Sequence, residues 1–162
     1  INQTFHFGES IRLTRTAQWM EGTGEKVSFV IRAFAEGEEA VMKAGTAALS
    51  PHNNQLGEAA KLRVTGRDVR TLTTFLVQTR SDGKTDIARE DVLSFASGQR
   101  LQVQDGEGYV ITAGSRKVGL VFLHHEVGNG TDYNGIRGVY GLGRTMVCDL
   151  NRAQEDMTVL QW

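Results

Sequence analysis

Cysteine and proline occur once each in the 162 residues. A single thiol, Cys148, has no partner within the chain, so no internal disulfide staples the fold and cohesion must come from a core. That thiol does not fix a redox compartment. One proline leaves little room for extended linkers or rigid loops. No apolar run approaches the ~20 residues that a bilayer-spanning helix needs. The longest, around Val118–Leu123, has the length of a strand, so we expect no membrane insertion. An excess of one charge is also missing: 18 basic residues face 19 acidic ones, for a net charge of −1. With neither a basic surplus nor a basic tail, the composition speaks against a dedicated nucleic-acid binder, although a local basic patch remains compatible with it. The chain opens on Ile1 with no signal-like segment. This fits either removal of a leader, as in a soluble protein that is exported or carried on a virion or cell surface, or excision from a longer chain, and the compartment stays open.

What is present is glycine, 19 residues of it, and alternation of period two. Glycine in that number suits tight turns and bulges. Ile11, Leu13, Ala17 and Trp19 fall on one face of a nine-residue stretch, with Arg12, Thr14, Thr16 and Gln18 on the other. Val27–Ala35 alternates too, with Val30 and Phe34 on the second face, which predicts burial on both sides. Ala60–Thr65 and Val69–Val77 read as further strands. Between Gln99 and His124 we expect a three-strand meander, turned first by Asp105-Gly106 and then by Ala113-Gly114-Ser115. Helical spacing of Ala40, Val41, Ala44 and Ala48 predicts a helix over Glu38–Leu49, and Asp86–Phe95 a second short helix or a loop. The expected fold is all-β and mostly antiparallel: a sandwich, jelly roll or barrel of about eight to ten strands with one or two short helices. No linker composition appears, so residues 1–162 read as a single domain.

Candidate chemistry concentrates in the second half. His124 and Glu126, two apart at a strand end, would share a face and could hold a divalent metal, with His125 on the other side. No histidine follows position 125, so the third ligand would be His6 or His52. The stretch Gly119–His124, with Gly130, Gly135, Arg137 and Arg144 beyond it, resembles the closing strands of 2-oxoglutarate/iron oxygenases. The resemblance implies a metal-dependent jelly-roll enzyme, but the upstream His-x-Asp or His-x-Glu of that family is absent here. A polar strand end facing solvent is the plainer reading.

Six glycines lie between Gly128 and Gly143, interleaved with Asp132, Tyr133, Arg137, Tyr140 and Arg144. Gly141-Leu142-Gly143 lacks the third glycine of a dinucleotide fingerprint. Exposed backbone N–H groups with Arg137 and Arg144 could take an anion. The bland alternative is a long loop, Gly128–Gly138, feeding a strand kinked at Gly141 and Gly143. As a ligand site, this region would use Tyr133, Arg137, Asp132 and Arg144 on a glycan or small molecule.

Nucleophilic catalysis finds little support: Cys148 sits in an apolar strand and no Gly-x-Ser-x-Gly elbow occurs. Glu38-Glu39 and Glu90-Asp91 read as solvated charges. Phe29, Phe34, Phe75 and Phe122 read as core, whereas Trp19 and Trp162 fit either a sheet edge or a stacking platform. Ile1–Phe7 and Met157–Trp162 read as strands whose Phe5, Phe7, Leu160 and Trp162 could close their own sheet or add to a neighbour's edge. On these grounds the favoured expectation is a non-enzymatic, self-associating subunit of a shell, tube or filament. The ligand-binding module and the metal enzyme stand as alternatives.

Overall fold

The computed structural model describes residues 1–52, 55–79, 84–127 and 132–151. Every described element is a β-strand, every pairing is antiparallel and no sheet closes into a barrel. The chain forms two compact units, Ile1–Ser81 and Asp82–Trp162, where the even composition marks no boundary.

In the first unit, β1 (Asn2–His6), β6 (Val41–His52) and β7 (Gln55–Thr65) form a sheet in the order β1-β7-β6. The second sheet is centred on β4 (Ser28–Ala35). Along one edge of β4 run β3 (Met20–Thr23) and then β5 (Glu38–Glu39), with β2 (Arg12–Arg15) outside β3; β8 (Leu72–Thr79) pairs the other edge. The two sheets share a core of Met20, Phe29, Ile31, Ala33, Leu62 and Val64. Leu62 and Val64 have no exposed surface. As expected from its alternation, β4 is buried on both faces.

The second unit repeats this two-layer plan. One sheet runs β15-β12-β11-β9, from β9 (Thr85–Glu90), β11 (Gly106–Ala113), β12 (Arg116–Leu123) and β15 (Thr145–Asp149). The smaller sheet runs β10-β13-β14, from β10 (Leu93–Ser94), β13 (Asn134–Ile136) and β14 (Val139–Gly141). Val110, Val121, Met146 and Cys148 from the large sheet meet Ile136 and Val139 from the small one, with Val92 beside them. This is the packing of a small β-sandwich.

Five expectations need correction. Residues 38–49 form β5 and the start of β6 rather than a helix. Their helically spaced residues are mostly alanines with little to bury, so pairing with the core strand β7 outweighs helix propensity. Residues 86–95 likewise enter β9 and β10. The stretch Ile11–Trp19 is not one strand but β2 and a turn into β3. There the Thr16 hydroxyl accepts from the Gln18 and Trp19 amides at 3.4 and 3.1 Å, which closes the turn. The expected meander is a hairpin, β11–β12, closed by Gly114-Ser115. Leu101–Gln104 is no strand; Asp105 and Gly106 donate back to the Gln102 carbonyl, and β9 takes the outer place beside β11. Finally, residues 134–138 of the expected loop belong to the hairpin β13–β14, whose second strand, Val139–Gly141, stands where a strand was expected to follow. Its two-residue turn, Arg137-Gly138, has φ of 50° and 80°, the signature of a type I′ turn.

Candidate functional site

Period-two alternation sorts the small sheet of the second unit into two faces. Ser94 pairs Asn134, both are buried, and they face inward with Ile136 and Val139. Leu93, Gly135 and Tyr140, which lie side by side across the three strands, therefore face outward. Tyr133 and Phe95, at the strand ends, share that outward face.

There the aromatic rings converge. Phe95 meets Tyr140 at 5.2 Å between centroids and 69° between planes. It meets Tyr133 at 6.4 Å and 68°. The main chain ties the arrangement down, because the Phe95 amide donates to the Tyr133 carbonyl at 2.7 Å. Edge-to-face contact is favourable for aromatic quadrupoles, and it leaves ring faces free. Phe95 remains 66% exposed and Tyr133 48%. Gly135 is required between them, since a Cβ there would lie 1.7 Å from the Val139 carbonyl oxygen.

Charged groups stand in the surrounding segments. Arg137 donates to Glu90 at 3.0 Å, and Arg100 is 3.0 Å from Asp91. The Asp132 carbonyl accepts from the Asn134 side chain at 3.0 Å, next to Tyr133 in the chain.

Of the ligand residues expected from the sequence, Tyr133 stands on this face and Asp132 adjoins it. Arg137 occupies the hairpin turn, tied to Glu90. Arg144 belongs with the large sheet, where its carbonyl accepts the Leu123 amide at 2.7 Å. Residues 128–131 of the expected loop lie outside the described residues. Sequence reasoning missed Phe95. The available signal was an aromatic residue in the short, turn-prone segment Ser94–Gly98, which has no strand alternation to carry it into a core.

The histidines do something else. β12 ends at Leu123, so alternation stops there and His124 and Glu126 do not line up on a strand face. His124 Nε2 approaches the buried Glu107 carboxylate at 3.5 Å, His125 Nε2 lies 2.8 Å from Asp105, and Glu126 is exposed. His6 stands exposed on β1, in the first unit, and His52 closes β6. Among the described residues no three His, Cys, Asp or Glu side chains gather where they could hold a metal. Cys148 is buried, its thiol 3.6 Å from the Gly119 carbonyl, and burial pushes its pKa up, away from thiolate chemistry.

The N-terminal strand pairs β7 within its own unit. Phe5 and Phe7 pack against the first core, with Phe7 stacked on Phe29 at 5.5 Å. Leu160 and Trp162 lie outside the described residues. The chain matches no protein-family model, no curated protein and no solved structure.

Proposed function

We propose that this chain is a glycan-binding module, which seats a sugar ring on Phe95, Tyr133 and Tyr140. The observation that carries this reading is the exposure of Phe95 and Tyr133, 66% and 48%, within one ring cluster. A single exposed apolar residue is ordinary, but aromatic rings brought together from separate segments onto one exposed face suit a binding surface. A pyranose presents a C–H face that packs on an aromatic ring, and its hydroxyls point sideways. Rings at near right angles offer such a sugar a floor and a wall. Tyrosine hydroxyls and the Arg137, Glu90, Arg100 and Asp91 side chains supply donors and acceptors of both kinds.

The test is calorimetric titration with a panel of neutral soluble polysaccharides, followed by Phe95→Ala and Tyr133→Ala. Saturable binding lost in both variants, with unchanged melting temperatures, supports the reading. Absence of binding across the panel, or binding that survives both substitutions, removes it.

A second reading, self-association, is favoured by β6. Among the described residues it ends its sheet, with no strand beside its outer edge, and Lys43 is the one residue of Val41–His52 with a permanent charge. Long edge strands with few charges are templates for another copy. Substituting Thr46→Lys and Ala48→Lys, both exposed, should dissociate oligomers seen by native mass spectrometry; a monomer at every concentration ends this reading.

A further inference from the structure

We infer that the outward face of the sheet β1-β7-β6 is a binding surface for an acidic polysaccharide. Three rows of this face cross all three strands: His6, Lys61 and Gly45 in one, Thr4, Arg63 and Lys43 in the next, and Asn2, Thr65 and Val41 in the third; past the first row the face continues through Ala47 and Ala59 to Gly57, against which the Glu9 carboxylate packs. The opposite face carries Phe5, Leu62, Val64 and Met42 into the core. None of the nine residues in the three rows is acidic, and three are Lys or Arg.

Lys43 and Arg63 stand directly across from each other. Like charges so placed repel and weaken a sheet, and among the described residues neither has a carboxylate partner. An anionic ligand would turn that repulsion into attraction. The same two side chains line a cleft of about 540 Å³, together with Arg67, Thr65 and Val41. Acidic residues line it as well, but Glu39 is held by Arg32 at 2.5 Å and Glu36 accepts the Arg70 amide at 2.7 Å, which leaves Glu38. The cleft itself thus balances three cations against three carboxylates, and the surplus of positive charge lies on the three-strand rows of the sheet face, at Lys43, Lys61 and Arg63.

The kind of anion follows from what the face lacks. None of the nine residues in its three rows is a Phe, Tyr or Trp on which a base would stack, and no helix stands there to enter a groove. A polysaccharide carrying sulfate or carboxylate groups on its repeat needs neither. Lys61 and Arg63, two residues apart on one strand, are spaced by about 6.5 Å, and Lys43 lies about 5 Å across from Arg63. This grid of point charges suits a chain with closely repeated anionic groups.

Heparin serves as the probe, with duplex DNA as competitor, and affinity is measured against salt concentration. Saturable heparin binding that weakens with salt is expected. The double variant Lys43→Gln, Arg63→Gln should bind at least about tenfold more weakly, with a salt slope reduced by about one per cation removed. Both side chains are exposed, so the melting temperature should hold or rise as repulsion is relieved. Phe95→Ala should leave heparin binding intact, which separates this surface from the aromatic site. No heparin binding, an unaffected double variant, or duplex DNA that binds as tightly as heparin would each overturn the inference.

Discussion

The thiol of Cys148 fills the space that a side chain at Gly119 would take. Sγ lies 3.6 Å from the Gly119 carbonyl oxygen, and a Cβ built on Gly119 would come within 2.6 Å of that sulfur and 2.8 Å of Ile136 Cδ1. Paired across β12 and β15, these two residues set how closely the small sheet, through Ile136, approaches the large one. The lone cysteine thus has a packing role.

Gly119→Ala should therefore destabilise the protein by about 1–3 kcal/mol through overpacking. Replacing Cys148 by Ala in the same chain should recover part of that loss, because the two substitutions share one space. Urea denaturation of the two single variants and the double variant measures the coupling. Strict additivity would show that sulfur and glycine do not oppose each other.

Burial raises the Cys148 pKa, with desolvation as the leading cause. A folded-state pKa above the unfolded one contributes stability that is complete below the unfolded thiol pKa and is lost as pH rises through the folded value. Stability should accordingly fall above about pH 8.5, the ordinary thiol value. In Cys148→Ala this component of the alkaline decline should vanish. Thermal melts of both proteins from neutral to alkaline pH provide the check, and identical slopes would refute it.

Phe7 packs, partly buried, against the first unit's core and stacks on Phe29, so Phe7→Ala should lower stability by up to about 3 kcal/mol. Leu62→Ala, at a position with no exposed surface, should lower it by about 2–5 kcal/mol. A Phe7 whose main task was to dock on another copy would instead leave the monomer's denaturation midpoint unchanged. Guanidinium unfolding at low protein concentration distinguishes the two.

Gly135 and Phe95 should part company under substitution. Gly135→Ala forces a Cβ into the Val139 carbonyl and should lose stability and neutral-polysaccharide binding together. Phe95→Ala removes an exposed ring and should change stability by no more than about 0.5 kcal/mol while binding is lost. A joint loss in both variants would mean that Phe95 supports the hairpin rather than a ligand.

How legible all this was varies element by element, for physical reasons. β4 could be read in advance because its apolar residues, from Phe29 to Ala33, occupy both faces of a strand buried on both sides. β7 was visible in part, from Ala60 to Thr65, where one face is core and the other wet. The residues of β6 misled, since alanines at helical spacing carry a local propensity that pairing with a neighbouring strand overrides. The tight turn within Ile11–Trp19 was hidden because Thr16 and Gln18 fit the polar face of a strand as well as they fit a turn.

At the candidate site, Tyr133 and Arg137 stood out through the glycines around them, while Phe95 did not: its relation to Tyr133 rests on a strand pairing across some forty positions. Period-two patterning and the glycine-rich turns by themselves determined that this chain would be an antiparallel β protein with apolar faces to bury. Which strands pair, and so which exposed rings and which like charges come to stand together, was decided by the tertiary structure alone. Alternation specifies the face a residue occupies but says nothing about which strand will lie beside it.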